Sequence, residues 1–537
     1  MKFQRPRPFP YASTPQRVWF RLLACCLSLY VAFVAYFAGS GFLKDPASTV
    51  VSLLCAALLA MACLCCFSLL SSRIADWKGL RPRPLGKHRW LWFFLFFAVS
   101  LAVYGAALAA AWPGGVNYDA SNQWRQALSG EYNNWHPVFH TLMIWLVTRL
   151  SQNYTVVVIV QILAAAAAQA YFSLVLCESG VPGGLVLMVH WLICITPGVR
   201  NPLMFVSKDS AMTIGMFLLA AFSLRMIFSR GEWLKKPGKI FLLGAVCAWC
   251  SLVRHNGLFA VAPLLICAFC LFKTCRRQSL WAALMCAALI VLVRGPLYGA
   301  LDIVYPNNLT EESIGIPMTV LGDIRVRQPE SLTEEATDFL NTLSTPEDWE
   351  KSYTLHSYNS IKFTYDHEYI QERTLPEIFR MAAESAAQAP RVAFEAVTGL
   401  TDLVWGIWHN GEGFMPVSNS GDLPEVSRGQ GRLNAMGSRV LQILELPFKV
   451  WPIAYLTENI GVGLLLMLLA TLLLMKRNGP GGLLLAFPIL IYDLGTMMLL
   501  CGNDARFFQC SLALCLPYSL AMLYMPAAGG KSLCPNG

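Results

Sequence analysis

The sequence predicts an all-α polytopic membrane protein, and three observations carry that prediction. Of 537 residues, 56% are hydrophobic and only 14% charged, with a mean hydropathy of +0.50, too little charge for a soluble globule of this size. Nine apolar runs, at 18–41, 48–71, 89–112, 154–176, 210–228, 279–300, 452–475, 480–501 and 506–526, each approach the roughly 20 residues that cross a ~30 Å hydrocarbon layer as helix. Clusters of Lys and Arg fall between the runs in the manner of cytoplasmic loops.

Taken in order, the basic MKFQRPRPFP leads into the first run with no small-residue cleavage site, so an uncleaved anchor is expected. Residues 1–88 read as a two-span extension with a basic cytoplasmic loop. Basic clusters at 2–21, Arg73 to Arg89, Arg230 to Lys239 and Lys273 to Arg277, with Lys476 and Arg477 as a weaker fifth, mark the cytoplasmic side. The polar stretch Trp112 to Pro137, WPGGVNYDASNQWRQALSGEYNNWHP, then faces out. Four shorter runs, 137–150, 183–197, 239–253 and 257–272, are ambiguous by length. An odd number of crossings must separate the Asp119 loop from Arg230, yet four runs intervene. The shortest, 137–150, opens with HPVFH and ends in TRLSQN, so it is assigned to an outer juxtamembrane helix. Twelve transmembrane helices with both termini cytoplasmic result. Residues 89–300 form a membrane module with an outer loop at 112–153, and 451–537 a three-span segment with a short tail.

Between them, 301–450 holds 22 of the 32 acidic residues against 11 basic ones, a net −11 in a chain whose remainder is +20. This segment reads as an extracytoplasmic, mostly helical domain, from periodic stretches such as LPEIFRMAAESAAQ. Gly and Pro concentrate in GEGFMPVSNSGDLPEVSRGQG, which predicts a mobile loop before the last spans. All 18 cysteines lie outside 301–450, mostly in apolar runs, as small hydrophobes. Cys247/Cys250 and Cys267/Cys270 imitate a zinc site, but on successive antiparallel helices the four sulfurs fall at different depths.

Charged side chains at bilayer depth cost roughly 2.5–3.5 kcal/mol each on insertion scales, so polar turns retained at helix ends are candidate sites. Asp119 and Gln123 share a helix face at i, i+4, with Arg125 beyond. Asp119 is suited to act as a general base toward an acceptor hydroxyl, or to cap a helix starting near Ala120; both roles can coexist. His136, with His140 one turn on, can bind phosphate, a metal or water. With Asp119 and Asp209 the pair offers the ligand types of a divalent cation site. Arg200, Lys208 and Asp209 lie in GVRNPLMFVSKDS, a polar turn in which the cations can hold a phosphate leaving group. Arg254, His255 and Asn256 form another such turn, and Asp504 and Arg506 a further one. Each arginine taken singly can equally snorkel to lipid headgroups. Four turns on one side are harder to explain that way.

On these residues the layout resembles the GT-C superfamily of membrane glycosyltransferases, such as protein O-mannosyltransferases and bacterial aminoarabinose transferases. The resemblance runs over 89–526 and is strongest to bacterial multi-span proteins with a PG…D…Q…G…HP loop and an R-x-N-G turn, matched here by Pro113 to Pro137 and Arg254 to Gly257. Asp119 occupies the place of the essential acid in the first outer loop, His136-Pro137 that of the polar residue before proline, Asp209 that of a further outer acid, and Arg506-Phe507 that of an arginine-aromatic pair. Asp119 stands between Tyr118 and Ala120 rather than beside a second acid, and His136 replaces an acidic residue.

The resemblance implies transfer of a sugar from a polyprenyl-phosphate-linked donor in the membrane to an extracytoplasmic acceptor: a cell-envelope glycan, lipid or protein. Asp119 and Asp209 would be catalytic. Gln123, Arg125, His136, Arg200, Lys208, Arg254, His255, Asn256, Asp504 and Arg506 would bind substrate, with a divalent cation an open possibility. A nucleotide-sugar donor does not fit an outward-facing cluster, and nothing points to nucleic acid. A transporter or flippase of lipid-linked substrates is the alternative, with Asp493 the main ionisable residue inside a span; a non-catalytic subunit keeping the scaffold is a third reading.

Overall fold

The computed structural model describes residues 14–36, 43–77, 80, 85, 88–305, 309–362, 364–408, 416, 417, 423, 426 and 431–525. Among these, the chain is helical throughout, with isolated bridges and no strand. Nine helices are long and apolar enough to cross a membrane: Arg17–Tyr36, Pro46–Ala75, Arg89–Ala110, Tyr154–Glu178, Lys208–Ser229, Lys273–Ala300, Ile460–Asn478, Pro480–Met497 and Ala505–Tyr524. This is an all-α, multi-pass membrane protein. All nine apolar runs of the sequence reappear, with one shifted start. The run at 452–475 breaks at Asn459, whose side chain accepts from the Val462 amide at 2.8 Å and starts a new helix after Trp451–Glu458. The predicted loop of residues 411–431 lies almost wholly outside the described residues.

Two ends of the bundle can be told apart by their contacts. At one, Glu178 accepts from Arg89 at 3.2 Å and from Arg225. At the other, the Tyr154 hydroxyl donates to the Gly115 carbonyl at 2.7 Å, so Tyr154–Glu178 runs antiparallel to Arg89–Ala110. Helix Gly183–Ile195 starts with Gly183 against the Trp92 ring and is bent by 70° from the following Pro197–Met204 segment. That segment finishes with the Met204 carbonyl accepting from the Gly115 amide at 2.9 Å. The broken pair thus runs from the Glu178 end to the Asp119 end, and its bend at Pro197 places a polar turn beneath the loop that carries Asp119.

Burial sorts the helices. Lys208–Ser229 is central, with 89% of its apolar window buried, whereas Pro46–Ala75 and Lys273–Ala300 have only 11% buried and turn their apolar faces outward, as a lipid solvent allows. Small residues let the central helix pack closely: Ala165, Ala166 and Ala168 are buried on the neighbouring helix, and a Cβ on Gly215 would meet Cys250 Sγ at 2.5 Å.

A second apolar core, separate from the bundle's, gathers Met318, Leu321, Leu340, Trp349, Ile378 and neighbours from 314–396. Gly315–Arg327 is its central helix, flanked by Leu375–Gln388 and Pro390–Trp405. It docks on the turn before the last membrane helix, where the Asn359 amide donates to the Cys501 carbonyl at 2.8 Å and Gly315 leaves no room for a Cβ against the Leu500 carbonyl. Helix Arg432–Leu444 instead lies along Arg89–Ala110, with Gly437 against the Ala110 backbone.

Within the second core, Asp323 is fully buried, its Oδ1 accepts from the His356 amide (2.9 Å) and the Tyr353 hydroxyl (2.8 Å), and its Oδ2 lies 2.7 Å from His356 Nδ1. These bonds hold His356 at a φ of 63°, unusual for a residue other than glycine. The hydrogen bond to Asp323 raises the His356 pKa above 6.5 despite partial burial, with Arg327 and Asp402 also facing it. A raised folded-state pKa stabilises fully below the unfolded value, and that contribution is lost as pH rises through the folded one. The melting difference between wild type and His356→Gln is therefore expected to be larger at about pH 5.5 than at about pH 9. A difference that does not change with pH would remove the ion pair from the account.

Candidate active site

The site is built on the loop after Arg89–Ala110. Gly115 passes so close to Phe205 that a Cβ would lie 2.7 Å from its ring, and Gly114 has a φ of 134°. The helix Tyr118–Ser129 follows, capped by Asn117, whose side chain accepts from the Ala120 amide at 2.8 Å. The capping role considered for Asp119 therefore belongs to Asn117. Asp119 sits in the first helical turn, where the amide dipoles favour a carboxylate, and its side chain is turned to other partners.

Asp119 Oδ2 accepts from Lys208 Nζ at 2.8 Å and from Arg506 Nη1 at 3.3 Å, and Oδ1 lies 3.7 Å from His136 Nε2. Lys208 Nζ also donates to His136 Nδ1 at 2.8 Å. Arg506 Nε is 2.6 Å from Asp504 Oδ2. Five side chains from four regions of the chain thus meet, with exposures of 12% to 27% that leave the cluster partly exposed. Burial pushes the Asp119 carboxyl up, but the charges of Lys208 and Arg506 outweigh it and hold it well below the usual carboxylate range. Burial and the Lys208 charge push His136 down to about 3, against the opposing pull of Asp119. The imidazole is neutral, and since Nδ1 accepts from Lys208, its proton is on Nε2, facing Asp119. Burial raises the Asp504 carboxyl above its usual value, with Arg506 opposing.

Beneath this layer Asp209, 3% exposed, pairs with Arg254. Arg254 Nε donates to Asn256 Oδ1 at 3.0 Å, and Asn256 Nδ2 to Thr496 Oγ1 at 2.7 Å. The Phe507 ring lies 4.9 Å from the guanidinium carbons of both Arg254 and Arg506, joining the two layers. Asp209, Arg254 and Asn256, expected to act on substrate, are occupied in supporting the cluster from below.

Other expected site residues go elsewhere. Gln123 is fully buried, its amide donating to Thr141 at 3.1 Å and its oxygen 3.0 Å from His140 Nδ1, so it staples two helices. His140 is thereby held through Nδ1, with Lys208 and Asp209 within electrostatic reach. Arg200 is buried with Glu445, Asn201 and the Ile195 carbonyl. Arg125 is exposed on the same helix as Asp119 but off the Asp119/Gln123 face. His255 is exposed beside His136 and the Trp135 backbone. Among the described residues no three His, Cys, Asp or Glu side chains converge as a metal would require. The quartet Asp119, His136, His140 and Asp209 does not form a metal site, because the Lys208 ammonium bonds both Asp119 and His136 and Arg254 holds Asp209.

One neighbour escaped the sequence reading. The helix through 279–300 widens to a π turn at Val293–Leu297, and there Arg294, with Tyr298, Asp302 and Tyr305, lines a cavity of about 450 Å³. His255 is within electrostatic reach of both Arg294 and Lys208. The signal was present as Arg294-Gly295-Pro296 interrupting an apolar run; π turns often mark functional sites.

Compared with protein-family models, curated proteins and solved structures, the chain finds no match.

Removing one partner of a buried ion pair leaves an uncompensated charge, at a cost of about 3–5 kcal/mol. Arg254→Met is expected to destabilise by that order and Asp209→Asn/Arg254→Met by clearly less, read as thermal unfolding in detergent. Equal losses in the two would show that Arg254 acts through packing rather than charge.

Proposed function

We propose that this chain is a GT-C-like glycosyltransferase that uses a polyprenyl-phosphate-linked sugar on the extracytoplasmic face, with twelve crossings and both termini cytoplasmic. The observation that carries the reading is the meeting of Asp119, His136, Lys208, Asp504 and Arg506 in one half-open cluster at a single end of the bundle. The topology is supported by Val138–Thr148, whose 11 residues span only about 16 Å, and by the end-to-end course of the broken pair ending at Met204.

In this reading an acceptor hydroxyl attacks the anomeric carbon, the bond from that carbon to the phosphate oxygen breaks, and polyprenyl phosphate leaves. The hydroxyl proton passes to Asp119. A carboxylate held by two cations is a weak base, so Lys208 and Arg506 must share their charge with the donor phosphate as it binds. That transfer loosens their hold on Asp119 Oδ2 and raises its proton affinity when it is needed. His136, neutral, orients Lys208 through Nδ1.

A second reading, translocation of a lipid-linked substrate, is favoured by Asp493. It is fully buried in the Pro480–Met497 span, its Oδ2 accepts from Ser511 at 2.6 Å, and its Oδ1 has no hydrogen-bond partner among the described residues. Release of polyprenyl phosphate from a labelled lipid-linked sugar, measured in proteoliposomes, separates the two. Asp119→Asn is expected to lower release by about 10²-fold or more. Equal release in both proteins would sink the base role, and lipid movement without release would favour translocation.

A further inference from the structure

Four outer-layer cations considered for phosphate binding already have carboxylates: Arg200 has Glu445, Lys208 has Asp119, Arg254 has Asp209, and Arg506 has Asp119 and Asp504. Arg294 differs. Among the described residues its hydrogen bond is a long one, from Nη2 to the Ser251 carbonyl at 3.4 Å, and no carboxylate lies within ion-pair distance. It lines the open cavity of about 450 Å³ with Tyr298, Asp302 and Tyr305. The cavity is roomy because Gly295 and Gly299 carry no side chain there: a Cβ on either would meet nothing within 4 Å.

We propose that this cavity docks the phosphate of a membrane lipid. Arg294 supplies the phosphate's counter-charge, and a guanidinium is the side chain best matched to phosphate oxygens. Asp302, exposed at a φ of 47° on the cavity wall, repels a bare second anion but accepts hydrogen bonds from headgroup hydroxyls. Tyr305, exposed, belongs at the level of the headgroups, where one end of the ring is apolar and the other wet, while Tyr298 is buried behind it with its hydroxyl accepting from the Phe139 amide at 2.9 Å. Below Arg294 its helix is apolar and open to lipid, with Leu284, Val291 and Leu292 exposed, so a tail can lie along it. From the cavity, His255 leads toward Lys208 and His136. Docking here stands whether or not sugar is transferred, and under the transfer reading this is where the donor waits before reaching Asp119.

Equilibrium binding of fluorescent farnesyl phosphate to the full chain in nanodiscs tests this, with farnesol, inorganic phosphate and short-chain phosphatidylglycerol as competitors. Arg294→Gln removes the charge, and Gly299→Leu fills the cavity and leaves the charge in place. Each is expected to weaken farnesyl phosphate about tenfold or more, at unchanged melting temperature, with Arg294→Lys intermediate and Arg149→Gln, an exposed cation stacked on Trp145, unchanged. Short-chain phosphatidylglycerol competing where farnesol does not supports a phosphate-bearing lipid. Inorganic phosphate competing as well as farnesyl phosphate would overturn the lipid source, and undiminished binding in both Arg294→Gln and Gly299→Leu would overturn the site. Arg294-dependent binding in a wild type that releases no polyprenyl phosphate would sink the transfer reading and leave the docking site standing.

Discussion

Lys208 is the ammonium on which the cluster turns: one Nζ donates to Asp119 and to His136, both at 2.8 Å, from the first turn of the most buried helix in the bundle. Two opposite charges about 4 Å apart attract by roughly 4 kcal/mol at an effective dielectric constant near 20. Part of that is consumed in desolvation, and what remains depends on the ammonium, 14% exposed, being only partly screened by water. The fold is arranged to hold it. The bend between Gly183–Ile195 and Pro197–Met204 brings the Met204 carbonyl under Gly115, and that fixes where Asp119 stands relative to the start of the central helix.

The charges below and above this point differ in kind. Asp209 and Arg254 are buried, tied to Asn256 and Thr496, and backed by Phe507, so they have little freedom to change partners. Asp119, Lys208, Arg506 and Asp504 are open enough to water or ligand to rearrange. A fixed pair supporting an exchangeable set is a sound way to present charge to an anion without leaving an uncompensated charge in a low-dielectric interior. Arg294, unanswered by any described carboxylate, stands at the outer edge of the same region.

Much of this was legible in the chain. The nine long spans, and the placing of Asp119, His136, Lys208 and Arg506 at one end of the bundle, followed from hydropathy and crossing parity. What failed did so for reasons local sequence cannot carry. Gln123 shares the Asp119 face by period, but whether that face meets substrate or Thr141 and His140 depends on the packing of Val138–Thr148. Arg200 looked available because its partner Glu445 is 245 residues away. Arg294 was lost inside an apolar run, since a window average hides one charge among many apolar neighbours.

The sequence by itself determined which segments are too apolar for water and which turns are too polar for lipid, because transfer free energy is summed along the chain and needs no knowledge of neighbours. Tertiary structure decided which of those polar groups answer one another. Charge pairing depends on distances of a few ångströms between segments far apart in the chain, and only packing sets them. So Asp209 became a support, Asn117 took the cap, and Asp119 was left facing Lys208 and Arg506.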